Sequence, residues 1–117
     1  MMLSLPPQVR VFVCTRATDM RKSFDGLSGL VAEVFQGELL SGHLFVFFNR
    51  RRDRIKILAW DRDGLCLWYK RLEAGTFQVP AATGNGLELG ATELSLLLSG
   101  IDLASAQRRK RFRSPVT

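Results

Sequence analysis

The densest run of charge in the first hundred residues is Arg50-Arg51-Arg52, followed by Arg54 and Lys56, with only Asp53 among them. Guanidinium forks bunched at the end of a strand can clasp phosphate oxygens or enter a groove, contacts that position a polyanion without reading its sequence. The other reading is a solubilising turn whose geometry Asn49 and Asp53 set, with the arginines in water. A second cluster, Arg108, Arg109, Lys110, Arg111 and Arg113, has no acid among its members. There it is salt-sensitive attraction to phosphates against a solvated terminus. A third group sets the aromatics Trp60, Trp68 and Tyr69 beside Lys70 and Arg71. Aromatics next to cations can stack on unpaired bases, although packing in a core or a dimer is the commoner fate of strand aromatics. Lys70 and Arg71 are then phosphate contacts or the solvated end of a strand.

Bond-making chemistry has less support. Asp19, Asp25, Asp61, Asp63 and Glu73 supply the carboxylates a two-metal nuclease needs. Four of the five have a structural reading: Asp19 as a helix cap, Asp25 as the i, i+4 partner of Arg21, Asp61 and Asp63 as turn formers. The chain is short for a catalytic core that must hold three acidic residues. The one histidine, His43, sits in a glycine-containing loop and rules out a two-histidine metal motif. Tyr69 has no recognisable set of supporting residues for a nucleophile's role. Cys14 and Cys66 lie far apart without metal-ligand spacing and read as buried, reduced thiols. No catalytic residue, metal or cofactor is assigned.

The elements that must position these residues centre on Leu44 to Glu73, which reads as three strands. Leu44 to Phe48, Arg54 to Trp60 and Leu65 to Leu72 are apolar runs separated by polar connections, a three-strand antiparallel meander. The second connection, Asp61-Arg62-Asp63-Gly64, supplies Asp and Gly for a hairpin turn with a positive φ. Ile55, Ile57 and Ala59 point to one face and Arg54, Lys56, Leu58 and Trp60 to the other; Leu65, Leu67, Tyr69 and Arg71 alternate against Cys66, Trp68, Lys70 and Leu72. Neither face is polar throughout, so both require cover from helices of this chain, a second copy or a ligand.

Before the meander, Val9 to Cys14 is a strand, and Met20 to Phe35 carries a helical stripe of Met20, Phe24, Leu27, Val31 and Val34. Gly26 and Gly29 within it imply close backbone approach, to the sheet or to a partner helix, with the sheet favoured. After the meander, Thr76 to Val79 is extended and Leu87 to Leu89 is an edge strand. Thr92 caps a short helix, Glu93 to Ser99, which Gly100 terminates. The fold expected is α+β: an antiparallel sheet of about four strands, one long helix on one face and a short C-terminal helix. Residues 1–103 form the domain and residues 104–117 a basic tail.

At 117 residues, 46% hydrophobic and 24% charged, the chain is ordinary single-domain material. No apolar run approaches the ~20 residues that span a bilayer. Met1 to Pro7 lacks the features of a secretory signal, so a cytoplasmic location is expected. The net charge of +6 resolves into five tail cations and a body with 12 basic and 11 acidic residues. The Arg50 to Lys56 hairpin alone carries five cations against Asp53, so positive charge is concentrated where a polyanion would feel it.

Three segments carry a family resemblance: DMRKSFDGL at 19–27, FFNRRRDRIKIL at 47–58 followed by Trp60, and LWYKRLE at 67–73 followed by Gly75 and Phe77. Together they resemble TnpB, the second-open-reading-frame accessory protein of bacterial insertion sequence 66 elements, unrelated to the RNA-guided nuclease of the same name. The resemblance spans residues 9–103. Cys14-Thr15-Arg16-Ala17 departs from the Gly-Pro-containing turn such proteins carry. The resemblance implies a role in transposition beside the element's transposase and another small protein, and it supplies no catalytic residues. The expected function is a non-catalytic accessory factor for transposition of an insertion sequence. It would bind DNA, with little sequence specificity, through Arg50, Arg51, Arg52, Arg54, Lys56, Lys70, Arg71 and the tail cations while contacting the transposase or a second copy. A protein–protein adaptor with incidental cations is the alternative, and a metal-dependent nuclease a distant third.

Overall fold

Runs of β-branched and bulky apolar residues place five short segments in strands, and the order in which they pair decides where the cations end up. The computed structural model describes residues 8–36 and 39–100. Along the chain come β1 (Val11–Cys14), α1 (Phe24–Phe35), a 3-10 turn (Leu39–Ser41), β2 (Leu44–Phe48), β3 (Arg54–Asp61), β4 (Gly64–Arg71), β5 (Gly86–Leu89) and α2 (Ala91–Leu98). They form a five-stranded sheet in the order β4-β3-β2-β1-β5.

The meander is present, with β2, β3 and β4 antiparallel to one another. The expectation of a wholly antiparallel sheet of about four strands is corrected. β1 lies parallel to β2, Val11 opposite Leu44 and Cys14 opposite Phe47. The reason is α1: a helix between two strands carries the chain back across the sheet, the long crossover a parallel pair requires. β5 then pairs antiparallel with the free side of β1, making a fifth strand and a mixed sheet.

Both faces are covered, as the doubly apolar strands require. On one face, Leu27 and Val31 of α1 pack with Cys14, Phe45, Phe47 and Leu58, with Phe12, Leu65 and Leu67 at the margin. On the other, Leu94, Leu97 and Leu98 of α2 join Val11, Val13, Val46, Ile55 and Ile57. Phe77 is buried in this second layer and packs its ring on Phe48, 5.6 Å between centroids, although Thr76 to Val79 joins no strand.

Three boundaries differ from expectation for identifiable reasons. α1 starts at Phe24, not Met20. The Asp19 carboxylate accepts the Arg21 backbone N–H at 2.9 Å, a tight Asx turn, and the Met20 and Lys22 carbonyls accept from the Lys56 ammonium, not from helical amides. The first helical bond runs from Leu27 N–H to Ser23 C=O, and Arg21 pairs with Asp19 in place of Asp25. α2 starts at Ala91, its Glu93 carboxylate accepting the Gly90 N–H at 3.0 Å, so Thr92 lies inside the helix. Gly100 ends it as expected, at φ +87° with its N–H on the Leu97 carbonyl. In the β3–β4 turn the positive φ, +56°, falls on Arg62 and not on Gly64, which is paired with Asp61.

The glycines of α1 also depart from expectation. A Cβ on Gly29 would meet nothing within 4 Å, and one on Gly26 would meet the Lys22 side chain at 3.2 Å, so neither marks contact with the sheet. The close approach is at Gly86, where a Cβ would come within 3.0 Å of the Phe35 ring. Cys14 is buried as expected, but Cys66 is exposed because β4 is the outermost strand.

Candidate nucleic-acid interface

The loop between β2 and β3 is built by one side chain. Asn49 Oδ1 accepts the backbone N–H groups of Asp53 and Arg54 at 3.1 and 3.0 Å, and its Nδ2 donates to the Asp53 carboxylate at 2.6 Å. The Asn49 amide is the main cause holding the Asp53 carboxyl below its usual range, with Arg51 and Arg54 assisting. Arg52 adopts φ +57°, and its carbonyl accepts the Phe77 N–H at 2.7 Å while the Asp53 carbonyl accepts that of Leu72. The loop is thereby stitched to the segment that buries Phe77. Its cationic side chains stand on a fixed base.

Arg50 and Arg51 are exposed and Arg52 is half-buried. Among the described residues the ion pairs are Arg10–Glu88, Arg16–Glu33, Arg21–Asp19 and Arg71–Glu73, so none of the three loop arginines is held by a carboxylate. Beside them Arg50, Arg52, Thr15, Ala17, Phe48, Asn49 and Val79 line a cleft of about 200 Å³. A shallower hollow of about 450 Å³ continues from it past Arg16, Pro80 and Asn85, sharing Thr15, Arg52 and Val79. The Thr15-Arg16-Ala17 turn thus borders the cationic loop, because β1 and β2 run parallel and end together.

The β3–β4 register gathers a second group. Arg54 lies directly opposite Arg71 and Lys56 opposite Tyr69, on the face that also carries Leu58 and Leu67. Arg54 donates to the Tyr69 hydroxyl at 3.1 Å, and Arg71 pairs with Glu73 at 2.9 Å. Glu73 holds Arg71 more firmly protonated than a free guanidinium.

Lys56 has to be withdrawn from the phosphate-binding set. It is 6% exposed, its ammonium donates to the carbonyls of Met20 and Lys22 at 2.8 and 2.7 Å, and it lies 4.7 Å from the Tyr69 ring centroid. A buried ammonium so engaged is a structural tie. Lys70 is exposed but opposite Ile55, on the far face from Arg54 and Arg71. Arg108, Arg109, Lys110, Arg111 and Arg113 lie outside the described residues.

The aromatic trio separates. Trp68 packs against the α2-side core, Trp60 is half-buried opposite Leu65, and Tyr69 is 46% exposed. Sequence reasoning weighed Tyr69 with the tryptophans and missed its link to Arg54. Counting the register back from the Asp61–Gly64 turn places Arg54 beside Arg71 and would have exposed the cluster. Arg16 was missed too, since its place depends on the parallel pairing of β1.

The carboxylates do not converge. Asp19 is engaged by Arg21, while Asp61 and Asp63 flank the turn at the opposite end of β3 and β4 from Glu73. Among the described residues no three His, Cys, Asp or Glu side chains are grouped to hold a metal. His43 accepts the Arg10 backbone N–H on Nδ1 at 3.0 Å and packs edge-on to Phe12, a structural placement.

The family described as IS66 Orf2 like protein matches residues 9–108. The uncharacterized protein y4hO of Sinorhizobium fredii (strain NBRC 101917 / NGR234) is 41% identical over 110 residues, covering 94% of this chain and 96% of the relative. Protein y4jC of the same strain, also uncharacterized, is 34% identical over 101 residues, covering 86% of each. No solved structure matches.

Proposed function

Since this chain belongs to the IS66 Orf2-like family, with a transposition-associated accessory role, we propose that it is a non-catalytic factor that holds DNA phosphates through its cationic loop while it contacts the transposase. The observation that carries this reading is the Asn49-braced loop, which presents Arg50, Arg51 and Arg52 without a carboxylate partner among the described residues. Guanidinium groups held on a fixed base lose little freedom on meeting a phosphate, and their mutual repulsion falls when one arrives. Arg54 and Arg71 extend the cationic surface along the sheet, and the tail cations belong to the same proposal. Backbone contacts of this kind position a duplex and read no sequence.

The test is a titration of duplex DNA across a salt series with the wild-type chain and an Arg50→Glu/Arg51→Glu/Arg52→Glu variant. Each phosphate neutralised contributes a slope of about −0.9 in log K against log salt, so loss of three contacts flattens the slope by roughly 2.7. An unchanged slope in a folded variant rejects the loop as the contact. A second reading, a protein–protein adaptor, draws on the outer edge of β4, which pairs with no other described strand. Capture of the transposase that survives nuclease treatment, with no DNA binding at low salt, would favour the adaptor.

A further inference from the structure

Tyr69 is set up differently from the other aromatics of the sheet. It is 46% exposed, yet its hydroxyl accepts from Arg54 at 3.1 Å and the Lys56 ammonium sits 4.7 Å from its ring centroid. The ring is therefore held by a charge at its face and a donor at its tip, while almost half of the residue faces solvent. A core aromatic would instead be covered, as Phe45 and Phe47 are at 1% and 0% exposure. Around the ring, Arg54 and Arg71 are directly opposed across β3 and β4. Like charges placed opposite one another on a sheet face destabilise it unless an anion lies between or beside them. Glu73 hydrogen-bonds Arg71 alone, through Nε at 3.2 Å and a terminal nitrogen at 2.9 Å, so the side-chain hydrogen bond of Arg54 goes to the phenol hydroxyl, and the Asn49-bound Asp53 carboxylate acts on both guanidinium groups only through space. The hollow lined by Arg54, Tyr69, Arg71 and Glu73 is about 370 Å³ and lacks a second anion. That volume falls within the range of about 300–1,000 Å³ in which small ligands are accommodated.

Resting on the DNA-binding reading above, we propose that this patch takes an unpaired nucleotide: its base stacks on Tyr69 and its flanking phosphates lie on Arg54 and Arg71. The requirement for an unpaired base follows from the geometry of stacking. Inside a duplex both faces of every base are already occupied by neighbours, and a side chain tied to Arg54 at its tip and to Lys56 at its face is not free to wedge between them. An unpaired base has a free face, and stacking on an aromatic tolerates any base identity. The cationic loop and this patch lie at the same end of the sheet, since the loop joins β2 to the Arg54 end of β3. Duplex bound at the loop and an unpaired strand lying on the patch suit the junction at a melted or nicked DNA end.

The test compares a labelled oligothymidylate with a duplex of equal length, by fluorescence anisotropy, for wild type, Tyr69→Leu and Tyr69→Phe. Tyr69→Leu should weaken single-strand binding roughly five- to hundred-fold, the range expected for one lost stack. Tyr69→Phe should retain most of the affinity, and duplex binding should change little in either. A second measurement uses the unaltered protein: irradiation with a strand carrying 5-iodouracil should place the adduct on Tyr69. An adduct elsewhere, or unchanged single-strand affinity in Tyr69→Leu, overturns the proposal while duplex binding leaves the loop reading intact. Equal loss of duplex and single-strand affinity in Tyr69→Leu would make the patch a duplex surface and overturn it too. Failure of both probes to bind wild type would reject the proposal together with the reading it rests on.

Discussion

Lys56 and Asn49 show how a polar side chain on this scaffold is committed before any ligand arrives. The Lys56 ammonium is the donor for two carbonyls that precede α1, and removing it leaves the acceptors of half-buried Met20 and exposed Lys22 without that partner. Lys56→Met should therefore destabilise the fold by about 1–3 kcal/mol in urea denaturation, the range for orphaned acceptors, with part of the cost offset by easier burial of the thioether. Asn49→Ala removes three hydrogen bonds from the loop without touching a charge. It should lower both stability and DNA affinity, whereas an unaltered affinity would mean that the loop needs no bracing. The sequence made the side of the strand on which Lys56 falls legible, with Leu58 and Trp60, because alternation is local. Its acceptors were not legible, since they lie 36 and 34 residues away and meet it only once α1 has crossed the sheet. The opposition of Arg54 and Arg71 needed only a register count, so that part of the site was within reach.

At the scale of elements, α1 decides the topology. Its apolar stripe was readable, and with it the need to cover a sheet face, but the helix also makes β1 parallel to β2, and that pairing depends on contacts more than thirty residues apart in sequence. A much longer stretch of chain separates β1 from β5, so the edge strand was readable but its place beside β1 was not. The helix start was misplaced because helical periodicity continues through Met20 while the backbone there is diverted into the Asp19 turn. Gly29 tests how α1 is seated. A Cβ at that position meets nothing within 4 Å and the backbone is helical, so Gly29→Ala should raise stability by about 0.5–1 kcal/mol through helix propensity alone. Gly26→Ala should gain less, because the Lys22 side chain must shift from 3.2 Å. A loss of stability in Gly29→Ala would mean that the outer face of α1 is covered by something in solution.

For the molecule as a whole, the arrangement of charge matters more than its total. One end of the sheet carries Arg50, Arg51, Arg52, Arg54 and Arg71 against Asp53 and Glu73, and the other end of β3 and β4 carries Asp61 and Asp63 against Arg62. Three hydrogen-bonded carboxylates with lowered pKa act within the fold: Asp19 accepts from Arg21, Asp53 from Asn49 and Glu88 from Arg10. The Arg21 guanidinium holds Asp19 at about 2 against an ordinary 3.8, and Asn49 and Arg10 likewise lower Asp53 and Glu88. A carboxyl whose folded value is depressed contributes stability that is complete above its unfolded value and is lost as pH falls through the folded one. The unfolded values, 3.8 for Asp and 4.5 for Glu, set the upper edge of the window, and Asp19 extends it to about pH 2. Thermal unfolding followed from neutral pH downward should hold its midpoint with respect to these groups until about pH 4.5 and then decline. Glu88→Gln should remove part of that decline and Asp53→Asn another part, because each deletes one proton-linked group. Exposure keeps each share small, so the summed slope is the quantity to measure. Above pH 5 these carboxylates stay ionised and none of them pairs with Arg50, Arg51 or Arg52, so acidification from pH 7 to 5 should leave their part in the salt dependence of DNA binding unaltered. A salt slope that steepened over that interval would show carboxylates screening the loop in the free protein, and would count against the phosphate contact assigned to it.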